Sequence, residues 1–241
     1  GLVANYDAVV LAGGAEKPRD LPIPGRDLHG IHFAMDFLTQ QNRRNLGDPI
    51  PSEQSILATD KRVVILGGGD TGADCLGTSH RQRPFSVHQF EILPRPPKMK
   101  TGTSHEEGGE RRWSVLTKAF RGTNGRVESL EGVEVEWLPP TQNGDRPTMR
   151  EIPGTEFTQP VELVLLAMGF LGPQRPGLLT ELGVAFNERN AVQRDARYMT
   201  SVPGVFVAGD MTRGASLVVW AIWEGREAAR HIHAYLTGGQ D

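Results

Sequence analysis

The sequence predicts an α/β protein built on parallel sheets. Three observations carry that prediction. Short apolar runs alternate with helically periodic segments near both ends of the chain, as strands buried on both faces alternate with crossover helices. One run, KRVVILGGGDTGADCLGTSHR, passes from a strand into a knot of glycines and then into small residues that suit a helix start. A strand-rich stretch with a strong hairpin signal lies between the two alternating regions.

Residues 6–14, YDAVVLAGG, read as a buried strand ending in glycines, and EKPRDLPIPG follows as a proline-rich loop. In GIHFAMDFLTQQNRR, Ile31, Ala34 and Leu38 share one helical face with Phe33 and Phe37 beside it, which predicts a helix. NLGDPIPSEQSILATD is turn-rich and reads as a connector. The strand Arg62–Leu66 precedes the glycine knot, and a helix runs from the knot to about residue 78. Residues 85–93, FSVHQFEIL, form the next strand, and PRPPKMKTGTSHEEGGERR reads as a polar loop. WSVLTKAFRGTNGRVESLEGVEVEW holds strands around Asn124-Gly125, a favoured hairpin turn. TQNGDRPTMREIPGTE reads as a loop or second hairpin. Strands follow at 161–170 and 204–210. A long helix is expected over 216–236, where Val218, Ala221, Ile222, Gly225, Ala228, Ala229, Ile232 and Leu236 keep helical spacing.

The 241 residues, 38% hydrophobic and 23% charged, are ordinary for a globular chain and suit one large domain or two smaller ones. A net charge of −3 gives no electrostatic case for a nucleic-acid partner. No apolar run reaches membrane-spanning length, and no secretory leader precedes the first strand. The expectation is therefore a soluble, cytoplasmic chain without a membrane or nucleic-acid partner. The single cysteine, Cys75, excludes an internal disulfide, a CxxC redox pair and a cysteine-ligated iron–sulfur cluster within this chain.

Gly67, Gly69 and Gly72 fit G-x-G-x-x-G between a strand and a helix, and Gly68 completes the run. The first glycine permits the tight turn, the second lets a pyrophosphate approach the backbone, and the third lets helix and strand pack closely. Free N–H groups and the helix dipole favour the anion, and Asp70 or Thr71 can help cap that helix start. A glycine-rich turn without a ligand is the plainer reading of a bare glycine pattern; the flanking strand and helix favour a dinucleotide. The next strand carries Glu91, nineteen residues after Gly72, where an acid accepts hydrogen bonds from the ribose of NAD. Arg81, Arg83 and Arg95 lie where a 2′-phosphate of NADP could be met. These signals oppose each other, and solvated surface charge is the plain alternative for all four.

GVFVAGD offers a second mark: a strand ending so that Asp210 can bond the ribityl chain of FAD. The helix beginning near Ser216 then points its N-terminus at the flavin ring, where it favours negative charge. A simple strand-to-loop acid fits Asp210 equally well. His105, Glu106 and Glu107 share one loop, but without spaced partners they read as a polar loop rather than a metal site. His231 and His233 point apart on a helix, while Trp220, Trp223 and Cys75 read as packing residues. There is no Ser-His-Asp order, no P-loop lysine and no zinc spacing.

Taken in order, YDAVVLAGGAEKPRDLPIPG, VVILGGGDTGADCLGTSHR, SHEEGGER, LVLLAMGF and GVFVAGDMTRGASLVVWAIWEGREAA resemble the small (beta) subunit of glutamate synthase over nearly the whole chain. More widely, they resemble the NADPH-to-FAD electron-input modules that also serve dihydropyrimidine dehydrogenase. The resemblance implies two nested Rossmann-like dinucleotide-binding domains of the glutathione-reductase type. Residues 1–50 and 170–241 would form an incomplete FAD-binding domain around an NAD(P)H-binding domain at 51–169. It implies NADP(H) at Gly67, Gly68, Gly69, Asp70, Thr71, Gly72 and Glu91, with Arg81 and Arg95 nearby. It implies further cofactor-binding positions at Gly169, Gly209, Asp210, Ser216, Leu217 and Val218, and no side-chain acid or base for the hydride step. Hydride would pass from NADPH to FAD, and electrons would go on through iron–sulfur clusters to a glutamate-forming large (alpha) subunit.

Two departures from the family pattern set further expectations. The cysteine-rich iron–sulfur region and the first FAD fingerprint of the family do not occur in this sequence, so the chain reads as a C-terminal fragment lacking the N-terminal part of the FAD domain. FAD is expected only if that region is supplied or is dispensable. The stretch before SHEEG is also shorter than in the family. Two other readings stand beside the leading one: a non-catalytic nucleotide-binding or assembly module, and a disulfide reductase of similar fold. The lone Cys75 weighs against the reductase, whose chemistry needs two thiols.

Overall fold

A computed structural model describes residues 1–97, 103–140 and 147–239. The chain forms two compact units, one interrupting the other in sequence. Gly1–Arg19 and Gly169–Asp241 make the split unit, and Asp20–Met168 make the inserted one. The first segment carries α1 (Leu2–Asn5), β1 (Val9–Leu11) and β2 (Lys17–Pro18). The inserted unit opens with β3 (Ile31–Phe33), α2 (Ala34–Asn45), β4 (Arg62–Leu66), α3 (Asp70–Arg81), β5 (Ser86–Glu91), α4 (Thr103–Glu106) and β6 (Glu110–Trp113). It continues with β7 (Val115–Thr123), β8 (Arg126–Leu138), β9 (Thr148–Glu151), β10 (Phe157–Pro160) and β11 (Leu163–Leu166). The return segment carries β12 (Phe170–Gly172), α5 (Leu178–Leu182), β13 (Val205–Val207), α6 (Asp210–Arg213) and α7 (Val218–Thr237).

The inserted unit is centred on a parallel sheet of order β3-β11-β4-β5-β6. Its strands alternate side chains between two cores, which is why RVVIL and LVLL read as unbroken apolar runs. Val63, Ile65, Val87, Leu163 and Leu165 face α2 and α3, meeting Ala34, Phe37, Cys75 and Leu76. Val64, Leu66, Phe90, Val164 and Leu166 face the other way, meeting Val115, Phe120, Val127 and Leu130. Those last residues belong to an antiparallel sheet in which β8 pairs with β7, β10 and β9. The β7–β8 turn is the expected one: Asn124 and Gly125 both take positive φ, 51° and 73°, the requirement of a type I′ hairpin.

Three elements differ from the sequence reading. Ile31–Phe33 is a strand rather than the start of the helix, because it pairs in parallel with β11. This pairing, with Ala34 and Phe37 of α2 buried against α3, places residues 20–50 in the inserted unit, whereas the sequence reading put 1–50 in the outer one. The tract read as a polar loop contains α4 and β6. As an edge strand of sequence ERRW, β6 shows no apolar alternation, yet it pairs with β5 through its backbone. Residues 98–102 of that tract and 141–146 of the next loop lie outside the described residues. The run at 161–170 is two strands, since the backbone turns at Gly169 (φ 84°) and β12 pairs with β2.

In the split unit β1 pairs in parallel with β13, Val9 opposite Val205. Leu11, Val205 and Val207 pack with Leu179, Val184, Val192 and Met211. Phe206 packs on the other side with Tyr198, Ala208 and Ala228 of α7. No helix among the described residues is long and apolar enough to cross a membrane.

Candidate functional site

The carboxyl ends of β4, β5 and β11 converge on the glycine turn, the place where open α/β sheets hold ligands. Gly67 donates its N–H to Phe90 O at 2.8 Å. Its carbonyl accepts from Gln89 Nε2 at 2.9 Å. The three motif glycines are not equivalent. Gly67 holds φ 120°, and a Cβ there would lie 2.2 Å from Ala167 O. A Cβ on Gly72 would meet Gly67 O at 2.3 Å, so helix and strand close only over a glycine. Gly69 is different: its φ is −79°, a conformation open to any residue, and a Cβ would meet nothing within 4 Å. The fold does not need a glycine at 69. The space above it is an open cradle at the N-terminus of the 12-residue α3, where Gly69 provides no side-chain cap for the first-turn amides. Asp70 is exposed and Thr71 half-buried at that helix start.

Glu91 ends β5 with its carboxylate turned to the backbone. Oε2 accepts from Gly68 N at 2.6 Å and Oε1 from Leu93 N at 2.9 Å. It therefore holds the glycine loop in shape. On β6, Arg111 lies opposite Gln89 and Trp113 opposite Glu91, so all four share one sheet face. The Arg95 and Arg111 guanidiniums lie 5.3 and 4.9 Å from the centre of the Trp113 ring. Neither forms an ion pair with a carboxylate among the described residues. Burial, and then Arg95, lowers the Arg111 pKa. Burial also lowers that of His105, further lowered by Arg111 and opposed by Asp70. Two cations thus lie at one indole, on the sheet face that also carries Glu91.

Arg81 is not brought to this site. It ends α3, eleven residues from Asp70 and about 16 Å along the helix axis, and it pairs with Glu107. Arg83 lies beyond that end, at φ 58°. The sequence reading missed Gln89, Arg111 and Trp113. Gln89 was legible as a polar residue at an inward position of an apolar strand. The other two depend on recognising ERRW as a strand. Among the described residues, no group of three or more His, Cys, Asp and Glu could hold a metal ion. Cys75, on the sheet-facing side of α3, is fully buried, and burial pushes its thiol pKa up to about 12.

In the split unit, β13 ends at a second turn. Gly209 takes φ 74°, and Asp210 Oδ1 accepts from Ser216 Oγ at 2.9 Å. Leu217 caps α7 without a side-chain bond, and Leu217 and Val218 are exposed at 59% and 69%. The turn thus presents an oriented carboxylate, uncapped helix amides and an apolar surface together. Gly169, at φ 84° with open space around it, starts the return segment.

A family model described as pyridine nucleotide-disulphide oxidoreductase matches residues 2–225. The chain belongs to this family. Its single buried thiol means that thiol–disulfide exchange between two cysteines of this chain is not part of its chemistry. The resemblance read from the motifs is borne out: the chain is 54% identical to the glutamate synthase [NADPH] small chain of Mycobacterium tuberculosis over 98% of its length. The corresponding small chain of Bacillus subtilis is 40% identical, also over 98%. The chain spans about half the length of these relatives, 51% and 52%. Among solved structures, Mycobacterium tuberculosis FprA in complex with NADPH superposes with a TM-score of 0.72 at 17% identity, over 98% of this chain and 65% of that one. Thioredoxin reductase of T. acidophilum gives 0.65 at 21%, over 96% and 66%. These likenesses show the shared fold of the family.

Proposed function

We propose that this chain is the nicotinamide-dinucleotide-binding part of the electron-input subunit of a glutamate synthase, together with part of its flavin domain. The observation that carries the dinucleotide chemistry is the open cradle at Gly69, a glycine that the fold itself does not require. Gly67 and Gly72 shape the turn, Glu91 braces it through Gly68 N, and the α3 amides would meet a pyrophosphate. Arg95 and Arg111 would meet a 2′-phosphate and Trp113 the adenine, which favours NADPH over NADH. The engaged Glu91 carboxylate supports the same preference, because its oxygens already serve two loop amides.

The residues of the split unit fit FAD. Asp210, fixed by Ser216, would accept from the ribityl chain, and Leu217 and Val218 at the α7 N-terminus would lie against the ring. FAD, when bound, would supply a two-electron acceptor for hydride that can release electrons singly. Arg81 has no part in this reading. A glutamate-forming large subunit belongs to the proposal on the strength of the relatives' names, glutamate synthase small chain, and transfer through iron–sulfur clusters and a cytoplasmic setting belong to it on the motif resemblance alone.

The test is an anaerobic absorbance spectrum. The chain is incubated with FAD, freed of unbound flavin by gel filtration and then given NADPH. Retained flavin that bleaches supports a self-sufficient hydride-transfer unit. A chain that binds NADPH but retains no flavin is the nicotinamide-binding half of a larger flavoenzyme. A chain that binds neither overturns the proposal.

A further inference from the structure

One buried charge in the split unit has no part in the site described above. Glu224, on the second turn of α7, is only 1% exposed. Its Oε2 accepts from Gly209 N at 2.9 Å. Its Oε1 accepts from Arg213 Nε at 3.0 Å and lies 2.8 Å from an Arg213 terminal nitrogen. A terminal nitrogen of Arg194 stands 3.6 Å from the same oxygen. Both guanidiniums are held from behind: Arg213 lies 4.6 Å from the Trp220 ring centre and Arg194 3.9 Å from that of Tyr198.

A carboxylate so deeply buried is costly unless its partners are complete, and an apolar residue of similar size would serve packing as well or better. Its bonds point to a geometric role. The bond it makes is to the backbone of the residue before Asp210, at a glycine in a conformation (φ 74°, ψ −152°) closed to other residues. Arg213, the last residue of α6, is tied to the same carboxylate, so both ends of the 209–213 turn are fastened to one atom group on α7. The Asp210–Ser216 bond closes the loop from its other side.

We propose that Glu224, with Arg213 and Arg194, is a positioning residue for the flavin: it fixes the Gly209–Asp210 turn against α7, so that the Asp210 carboxylate and the α7 N-terminus face one ligand together. The inference rests on the flavin reading of this unit. Glu224 touches no cofactor itself. Its effect passes through the direction of Asp210.

The experiment measures FAD affinity of the chain by quenching of flavin fluorescence, with NADPH affinity as the control for folding, in the wild type, Glu224→Gln and Arg213→Lys. Glu224→Gln keeps one acceptor but turns a second donor toward Arg213. The expected result is about tenfold weaker FAD binding, a changed visible circular dichroism of the bound flavin, and NADPH affinity within about twofold of wild type. Arg213→Lys keeps the charge without the two-nitrogen fork, and an intermediate loss is expected. Wild-type FAD affinity and flavin dichroism in Glu224→Gln would overturn the clamp and leave the flavin reading standing. Where the wild-type chain alone binds no FAD, the same variants are compared with the chain joined to the N-terminal half of a relative's small chain, and absence of FAD binding there too would overturn both. If Glu224→Gln loses NADPH binding as well, Arg213→Lys decides: equal loss of both ligands there makes the cluster a structural support only, and overturns the inference.

Discussion

Gly69→Ala is expected to separate binding from folding, because the turn leaves room for the added methyl and the proposed pyrophosphate seat would not. Gly69 has φ −79° and ψ −172°, and its Cβ would meet nothing within 4 Å. Alanine at a compatible position gains about 0.4–1 kcal/mol by restricting the unfolded chain. As an N-cap it is worse than glycine by about 0.5–1 kcal/mol. The two nearly cancel, so a stability change within about 0.5 kcal/mol, or roughly 2 °C in Tm, is expected. In the proposed cradle the same methyl would push a pyrophosphate off the α3 amides. Losing one hydrogen bond to a charged group costs about 2 kcal/mol, which is about thirtyfold in Kd. Gly69→Glu adds bulk and like charge and abolishes NADPH binding in a chain that still folds. Gly72→Ala is the contrast, since its Cβ would sit 2.3 Å from Gly67 O, and overpacking of that kind costs about 1–3 kcal/mol or more. Thermal melting and NADPH titration are run on all three. Unchanged NADPH affinity in folded Gly69→Ala would refute the cradle. A Tm loss matching that of Gly72→Ala would refute the claim that the fold spares position 69.

Three further outcomes are expected. Arg95→Ala and Arg111→Ala each weaken NADPH binding about tenfold and leave NADH binding nearly unchanged; parallel loss of both nucleotides in titrations would remove the 2′-phosphate from this cluster. Asp210→Ala weakens FAD binding and spares NADPH, measured by flavin retention beside NADPH titration, and equal loss of both would make Asp210 structural. Cys75, with its pKa raised from 9.0 to about 12 by burial, binds its proton more tightly folded than unfolded. Its contribution is complete below the unfolded pKa and falls away as pH rises from about 9 toward 12, by about 1.4 kcal/mol per unit. Denaturant titrations at pH 8, 10 and 11 check this against Cys75→Ala, whose shallower decline is the expected difference.

The glycine turn was legible because its signal is local. RVVIL, the three spaced glycines and the small residues after them specify strand, turn and helix within some twenty positions, and Asn124-Gly125 specifies its hairpin in two. The stretches that misled lack any such local mark. Ile31 and Phe33 fit a helical face as well as they fit a strand, and only pairing with β11 makes them extended. ERRW carries no period at all, and its place beside β5 depends on partners more than twenty residues away. Arg81 looked near the turn in sequence, but a helix carries it about 16 Å away.

The sequence by itself determined the α/β class, the strand–glycine–helix turn, the Gly-Asp strand end and the absence of paired thiols in this chain. Each follows from residues close together or from composition. The tertiary structure alone decided which motif glycine the fold does not require, that Glu91 braces the loop, that Arg95 and Arg111 lie at the Trp113 ring, and that Glu224 ties α7 to the Gly209–Asp210 turn. These depend on distances between segments that the chain brings together only when it buries its two sheet faces. No spacing along the chain encodes such a distance.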